Sequence, residues 1–146
     1  MRRTILSTLL IFTAAFLLSP ATFATCVTVE GVRAAEGFSV REYEEFHDVL
    51  HPLQHEALPN GDFKRIRAEA NELVKRGEAI LKLGVPAGVT EQNVKEFREE
   101  LKRFGDALAK FKTDADTGTD AQLKESYSAV HDSFEMLAAL LPRVKR

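Results

Sequence analysis

Apolar residues recur along this chain at alternating steps of three and four, in four separate runs. The first is Tyr43, Phe46, Leu50, Leu53 and Ala57. The second is Phe63, Ile66, Ala70, Leu73, Gly77 and Ile80. The third is Val94, Phe97, Leu101, Phe104, Leu108 and Phe111, and the fourth is Leu123, Tyr127, Val130, Phe134, Leu137 and Leu141. This rhythm lays each run along one stripe of an α-helix, as the a and d positions of a heptad do. Four such helices bury their stripes by packing them against one another. The pattern therefore predicts an all-α domain over residues 39–146, an antiparallel up-down-up-down four-helix bundle.

Breakers set the expected boundaries. A first helix covers about 39–57, with Ser39 as its N-cap, and stops at Pro59-Asn60-Gly61. A second covers about 63–83, capped by Asp62 and closed by Gly84. Thr90 caps a third over about 91–114. The polar stretch from Asp114 to Asp120, which contains Gly118, reads as a loop, and a fourth helix covers about 121–141 before Pro142. Pro52 falls inside the first helix. It has no N–H, and its ring crowds the carbonyl of Asp48, so a kink or bulge is expected there.

The stretch before the bundle is of another kind. Arg2 and Arg3 precede an apolar segment, Ile5 to Leu18, that is too short for an ordinary spanning helix. Pro20 ends it, and Thr22-Phe23-Ala24 places small side chains before a cleavage point. Residues 1–24 read as a secretory signal peptide, which sends the mature chain out of the cytoplasm, most simply to a periplasm. Residues 25–38 read as a flexible leader. Cys26, the single cysteine, cannot form an internal disulfide. The residues before it, Phe23-Ala24-Thr25, match a lipidation signal poorly, which favours a cleaved leader over a lipoprotein.

About 120 residues then remain, an ordinary single-domain size. The formal charge is −2 and both signs are dispersed, so no basic block is present to neutralise phosphates and nucleic acid is not expected as a partner. No second apolar stretch is long enough to span a membrane. No Gly-rich phosphate loop or nucleophile elbow interrupts the helices, and no Ser, Cys and His set stands out, so enzymatic activity is not expected.

The candidate chemistry lies in the histidines. All four fall on two predicted helices: His47, His51 and His55 at i, i+4 and i+8 on the first, and His131 on the last, with Glu135 four residues on. Residues four apart share a helix face, about 6 Å between Cβ atoms, the spacing with which one helix offers two ligands to a metal. With Tyr43 and Tyr127 taken as a positions, His47 and His131 are both e positions. The e positions of antiparallel neighbours face each other. His47, His51, His131 and Glu135 would then meet across the groove between the first and last helices, with His55 one turn further on. Three imidazoles and a carboxylate suit zinc, copper or nickel. Asp48, Asp132 and Glu44 are near enough to orient the ligands. Met136 is expected to pack, although its sulfur is a soft donor. In the alternative assembly the His47 face turns to the second helix, near Val74.

The approach and start of the last helix, Gly118-Thr119-Asp120-Ala121-Gln122-Leu123-Lys124-Glu125-Ser126-Tyr127-Ser128-Ala129-Val130, resembles the last helix of cytochrome c prime. Helix number, helix lengths and export agree with that family. The resemblance implies a four-helix bundle and a homodimer. However, the C-x-x-C-H haem attachment motif is missing. In one register its cysteines correspond to Phe134 and Leu137 and its histidine to Ala138. In another they correspond to Tyr127 and Val130, with His131 at the histidine position. Neither register allows covalent haem, and the second leaves His131 to hold a non-covalent one. The histidine run from Phe46 to Glu56 is no part of the cytochrome pattern. The expected function is an exported, haem-less bundle that binds a divalent transition metal as binder, buffer or sensor. The alternatives are a cofactor-free interaction or dimerisation module and a non-covalent haem binder.

Overall fold

A computed structural model describes residues 38–142. The expected signal peptide, Cys26 and all of the leader except Phe38 lie outside the described residues. Within them the chain forms helices α1 (Arg41–Pro52), α2 (Phe63–Leu83), α3 (Glu91–Thr117) and α4 (Asp120–Ala139), with a π-helical turn, Leu53–Ala57, continuing α1. No strand occurs among the described residues, and no helix there is long and apolar enough to cross a membrane.

The four helices make a four-helix bundle whose interior is the set of heptad stripes. Every stripe residue of the first and fourth runs is buried. In the other two runs only Phe63, Val94 and Leu101 keep partial exposure. Tyr43, Tyr127, Phe46, Phe97, Phe104, Phe111 and Phe134 are the largest fully buried side chains of the core, each worth about 1.5–3 kcal/mol in water excluded from apolar surface. Gly77 lets α2 and α3 approach closely: a Cβ there would lie 2.6 Å from a methyl of Leu108.

Three boundaries differ from the sequence expectation. The N-cap of α1 is Val40, with no side-chain cap, and not Ser39. Phe38 packs inward just before it, and its N–H donates to Glu44 Oε2 at 2.7 Å. The expected loop from Asp114 to Asp120 is helical up to Thr117, which leaves only Gly118 and Thr119 between α3 and α4. Arg67 on α2 explains this. Its guanidinium donates to the carbonyls of Asp114 (2.9 Å), Ala115 (2.8 Å) and Gly118 (2.8 Å), and pairs with Asp120 (3.0 Å). Carbonyls at a helix end are short of backbone partners; here one cation reaches three carbonyls around the end of α3, of which that of Asp114 also accepts from the Gly118 N–H at 2.9 Å, and the start of the next helix. Thr119 and Gln122 complete a reciprocal capping box at that start. Finally, α4 ends at Ala139, before Leu141.

Asp62 caps α2 as expected, accepting from the Arg65 N–H at 3.0 Å, and Gly84 closes it at φ 71°.

Candidate metal centre

The expected defect at Pro52 is a π turn. Beyond the proline, the Leu58 N–H reaches back five residues to the carbonyl of Leu53 at 2.9 Å, one residue further than in an α-helix. Leu53 and Ala57 are buried, so the wider turn keeps both on the core side. Arg65 of α2 pairs with Glu56 of the turn at 2.8 Å, which ties the turn to α2, and with Glu69 one turn on in α2 at 3.2 Å. The Tyr127 hydroxyl on α4 donates to the Leu50 carbonyl at 3.0 Å inside the core.

The three histidines of the first helix form a ladder on this framework. His47 and His51 lie one α-turn apart, with ring centroids 5.2 Å from each other. His51 and His55 flank Pro52 and the start of the π turn, and their centroids are 4.4 Å apart. A π turn takes more residues per revolution than the 3.6 of an α-helix. A residue four positions on therefore overshoots its predecessor less, and His55 comes to lie more nearly above His51. His51 and His55 are exposed and His47 is half-buried.

His47 faces α4. Its ring lies 6.4 Å from that of Phe134, nearly parallel at 25°, and 5.3 Å from that of Phe38, edge on. The α4 side of α1, and not Val74 of α2, is thus its neighbourhood. His131 sits one turn before Phe134, and its side chain is 25% exposed. Its Nδ1 is 3.1 Å from Asp132 Oδ1. In the tautomer that carries its hydrogen on Nδ1, this contact is a hydrogen bond and Nε2 is the acceptor nitrogen. Glu135 is exposed on the next turn. Met136, expected to pack, is 49% exposed beside it. Of the other orienting carboxylates, Glu44 is taken by the Phe38 N–H, and Asp48 stands exposed beside the ladder.

Among the described residues no three His, Cys, Asp or Glu side chains are arranged to hold one metal ion. His47, His51 and His55 form a chain of two pairs that share His51, and His131 and Glu135 stand apart on α4. Two buried side-chain oxygens have no hydrogen-bond partner among the described residues: the Tyr43 hydroxyl, one turn before His47, and Gln54 Oε1, on the same turn as His55. The sequence reading singled out neither atom. Burial pushes the Tyr43 and Tyr127 hydroxyls well above the ordinary tyrosine range, so both stay protonated.

No family model, no curated protein and no solved structure matches the chain.

Proposed function

We propose that this protein is an exported four-helix bundle, its helices in up-down-up-down order, that binds a divalent transition metal through histidines of α1 and α4. The ligand set is His47, His51, His55, His131 and Glu135, and the role is that of a binder, buffer or sensor and not of a catalyst. The helix order is supported by paired contacts. Glu45 meets Arg76 while Glu56 meets Arg65. Leu50 meets Tyr127 while Phe46 meets Phe134. Gly77 approaches Leu108 while Arg67 reaches Ala115. In each pair of helices, later residues on one meet earlier residues on the other.

The observation that carries the metal reading is the spacing of the imidazoles. Metal–nitrogen bonds are about 2.0–2.1 Å and a ring centroid lies about 1.1 Å behind its nitrogen, so two ligands at neighbouring coordination positions have centroids about 4.5–5.3 Å apart. Of the ladder spacings, 5.2 Å lies near the upper end of that range and 4.4 Å just below its lower end. A haem between the helices would instead have to displace the interlocked rings of Tyr43, Phe46 and Phe134, which argues against that alternative.

Equilibrium dialysis of the full chain against Zn²⁺, Cu²⁺ and Ni²⁺, followed by metal analysis and thermal melting, tests the proposal. About one equivalent of bound ion is expected. At a hundredfold excess over the dissociation constant, binding adds about 2.7 kcal/mol of stability. No retained metal and no shift in melting would sink it. The half-exposed Met136 face of α4 would then be the place to look for a protein partner or a second copy of the chain.

A further inference from the structure

We infer that the metal is seated first by His51 and His55, the pair that flanks Pro52 and its π turn, and that His47 and His131 are not required for it. This rests on the metal-binding reading above and narrows its ligand set from the histidines of two helices to one pair on the first.

Two observations carry it. First, the ladder is two overlapping pairs, not a ring of three, and both pairs need His51. One ion can use only one pair at a time. The rings of His51 and His55 are the closer, at 4.4 Å, and both are exposed, so they can turn their nitrogens toward an ion without disturbing the core. His47 is held between Phe38 and Phe134, and turning it would break both contacts. Second, the pair sits on the last turns of the first helical segment, where carbonyl ends carry partial negative charge and favour a cation.

Two neighbouring nitrogens leave the remaining positions of the ion to water. Such an open site suits Cu²⁺ above Zn²⁺ and Ni²⁺, both by the general affinity order and because Cu²⁺ accepts a tetragonal nitrogen–oxygen set. An ion held by two residues at the surface exchanges readily, which fits carriage or buffering better than a structural role.

The test is a Cu²⁺ titration of the full chain against a competing chelator, with electron paramagnetic resonance to count coordinated nitrogens. The unliganded variants are checked for unchanged melting. His51→Ala removes both pairs and should weaken binding by at least about a hundredfold. His55→Ala should weaken it about tenfold, as the ion falls back on His47 and His51. His47→Ala and His131→Ala should each change it less than about threefold. The wild-type spectrum should show two imidazole nitrogens. Loss of binding in His131→Ala or Glu135→Gln, with His55→Ala unaffected, would overturn the pair and leave the metal reading standing with a site across α1 and α4. Equal affinity in all variants would mean adventitious copper and overturn the pair. Absence of binding by the wild-type chain would overturn the metal reading itself.

Discussion

The hydroxyl of Tyr127 on α4 donates to the carbonyl oxygen of Leu50 on α1 at 3.0 Å, buried, two residues ahead of Pro52. The bond fastens α4 to the part of α1 where the proline and the π turn disrupt the regular ladder of backbone bonds. Tyr43, the other tyrosine of the described core, is equally buried, and its hydroxyl has no partner. The two therefore respond in opposite ways to loss of the hydroxyl. Tyr127→Phe removes a made bond and leaves Leu50 with one acceptor position unfilled, at a cost of about 1–2 kcal/mol. Tyr43→Phe removes a polar group that burial already penalises, so stability should hold or rise by up to about 1 kcal/mol. Urea unfolding of the two variants side by side measures the difference. Equal destabilisation would show that the hydroxyls are not distinguished in this way.

Arg67 should be the most important charged side chain for the fold. Its guanidinium gathers three carbonyls and one carboxylate where α3 gives way to α4. Arg67→Met keeps the apolar stem and removes the donors. The carbonyls are partly reachable by water, so the expected loss is about 2 kcal/mol, less than the sum of four bonds. Amide hydrogen exchange should rise first at the end of α3 and the start of α4. A loss spread evenly over all four helices would count against a local clamp.

Burial is periodic wherever helices pack, and for that reason the stripes could be read from the sequence and the core followed from them. The defect at Pro52 was legible too, because a missing N–H is a property of the residue itself. Its form was not: a π turn depends on keeping Leu53 and Ala57 inward while Arg65 holds Glu56, and both conditions are tertiary. The direction of His55 depends on that form, so the tighter half of the histidine ladder lay beyond the sequence pattern. The stretch from Asp114 to Thr117 reads as loop for a related reason. A polar run leading to Gly118 looks like a loop, yet Lys110 holds Asp114 at 2.7 Å on a helix that Arg67 terminates. The capping box of Thr119 and Gln122 was visible as a T-x-x-Q signal and was passed over in favour of the polar run before it.

Acid should loosen the α3–α4 end only once pH has fallen below the ordinary carboxylate range. Lys110 first, and then the Ser126 hydroxyl, hold the Asp114 carboxyl below its ordinary value of 3.8. Arg76 first, and then Lys75, do the same for Glu72 against its ordinary 4.5. A carboxyl whose pKa is depressed by folding contributes stability that is complete above its unfolded value. That contribution is lost as pH falls through the folded value. The melting temperature should therefore stay level from neutrality to about pH 5 and drop below about pH 4. Asp114→Asn should flatten the drop and lower stability at neutral pH. A variant that kept the full acid slope would remove Asp114 from the explanation.

Pro52 joins the fold to the proposed site, and Pro52→Ala separates the two. Alanine restores an N–H that can pair with the Asp48 carbonyl and removes the clash that a ring imposes within a helix, so α1 can run on in regular α-geometry. Against this, the proline stiffens the unfolded chain by a term of about 0.4–1 kcal/mol that alanine gives up. The helix term is the larger, and the variant should melt at or slightly above the wild-type temperature. In regular geometry the rings of His51 and His55 should draw apart from 4.4 Å toward the 5.2 Å of His47 and His51. Copper affinity should then fall about three- to tenfold, to the level of the His47–His51 pair. Weaker binding in a chain that is no less stable would tie the site to the π turn. Unchanged affinity would mean that the buried Leu53 and Ala57 hold the turn by themselves and that the proline is incidental to the site.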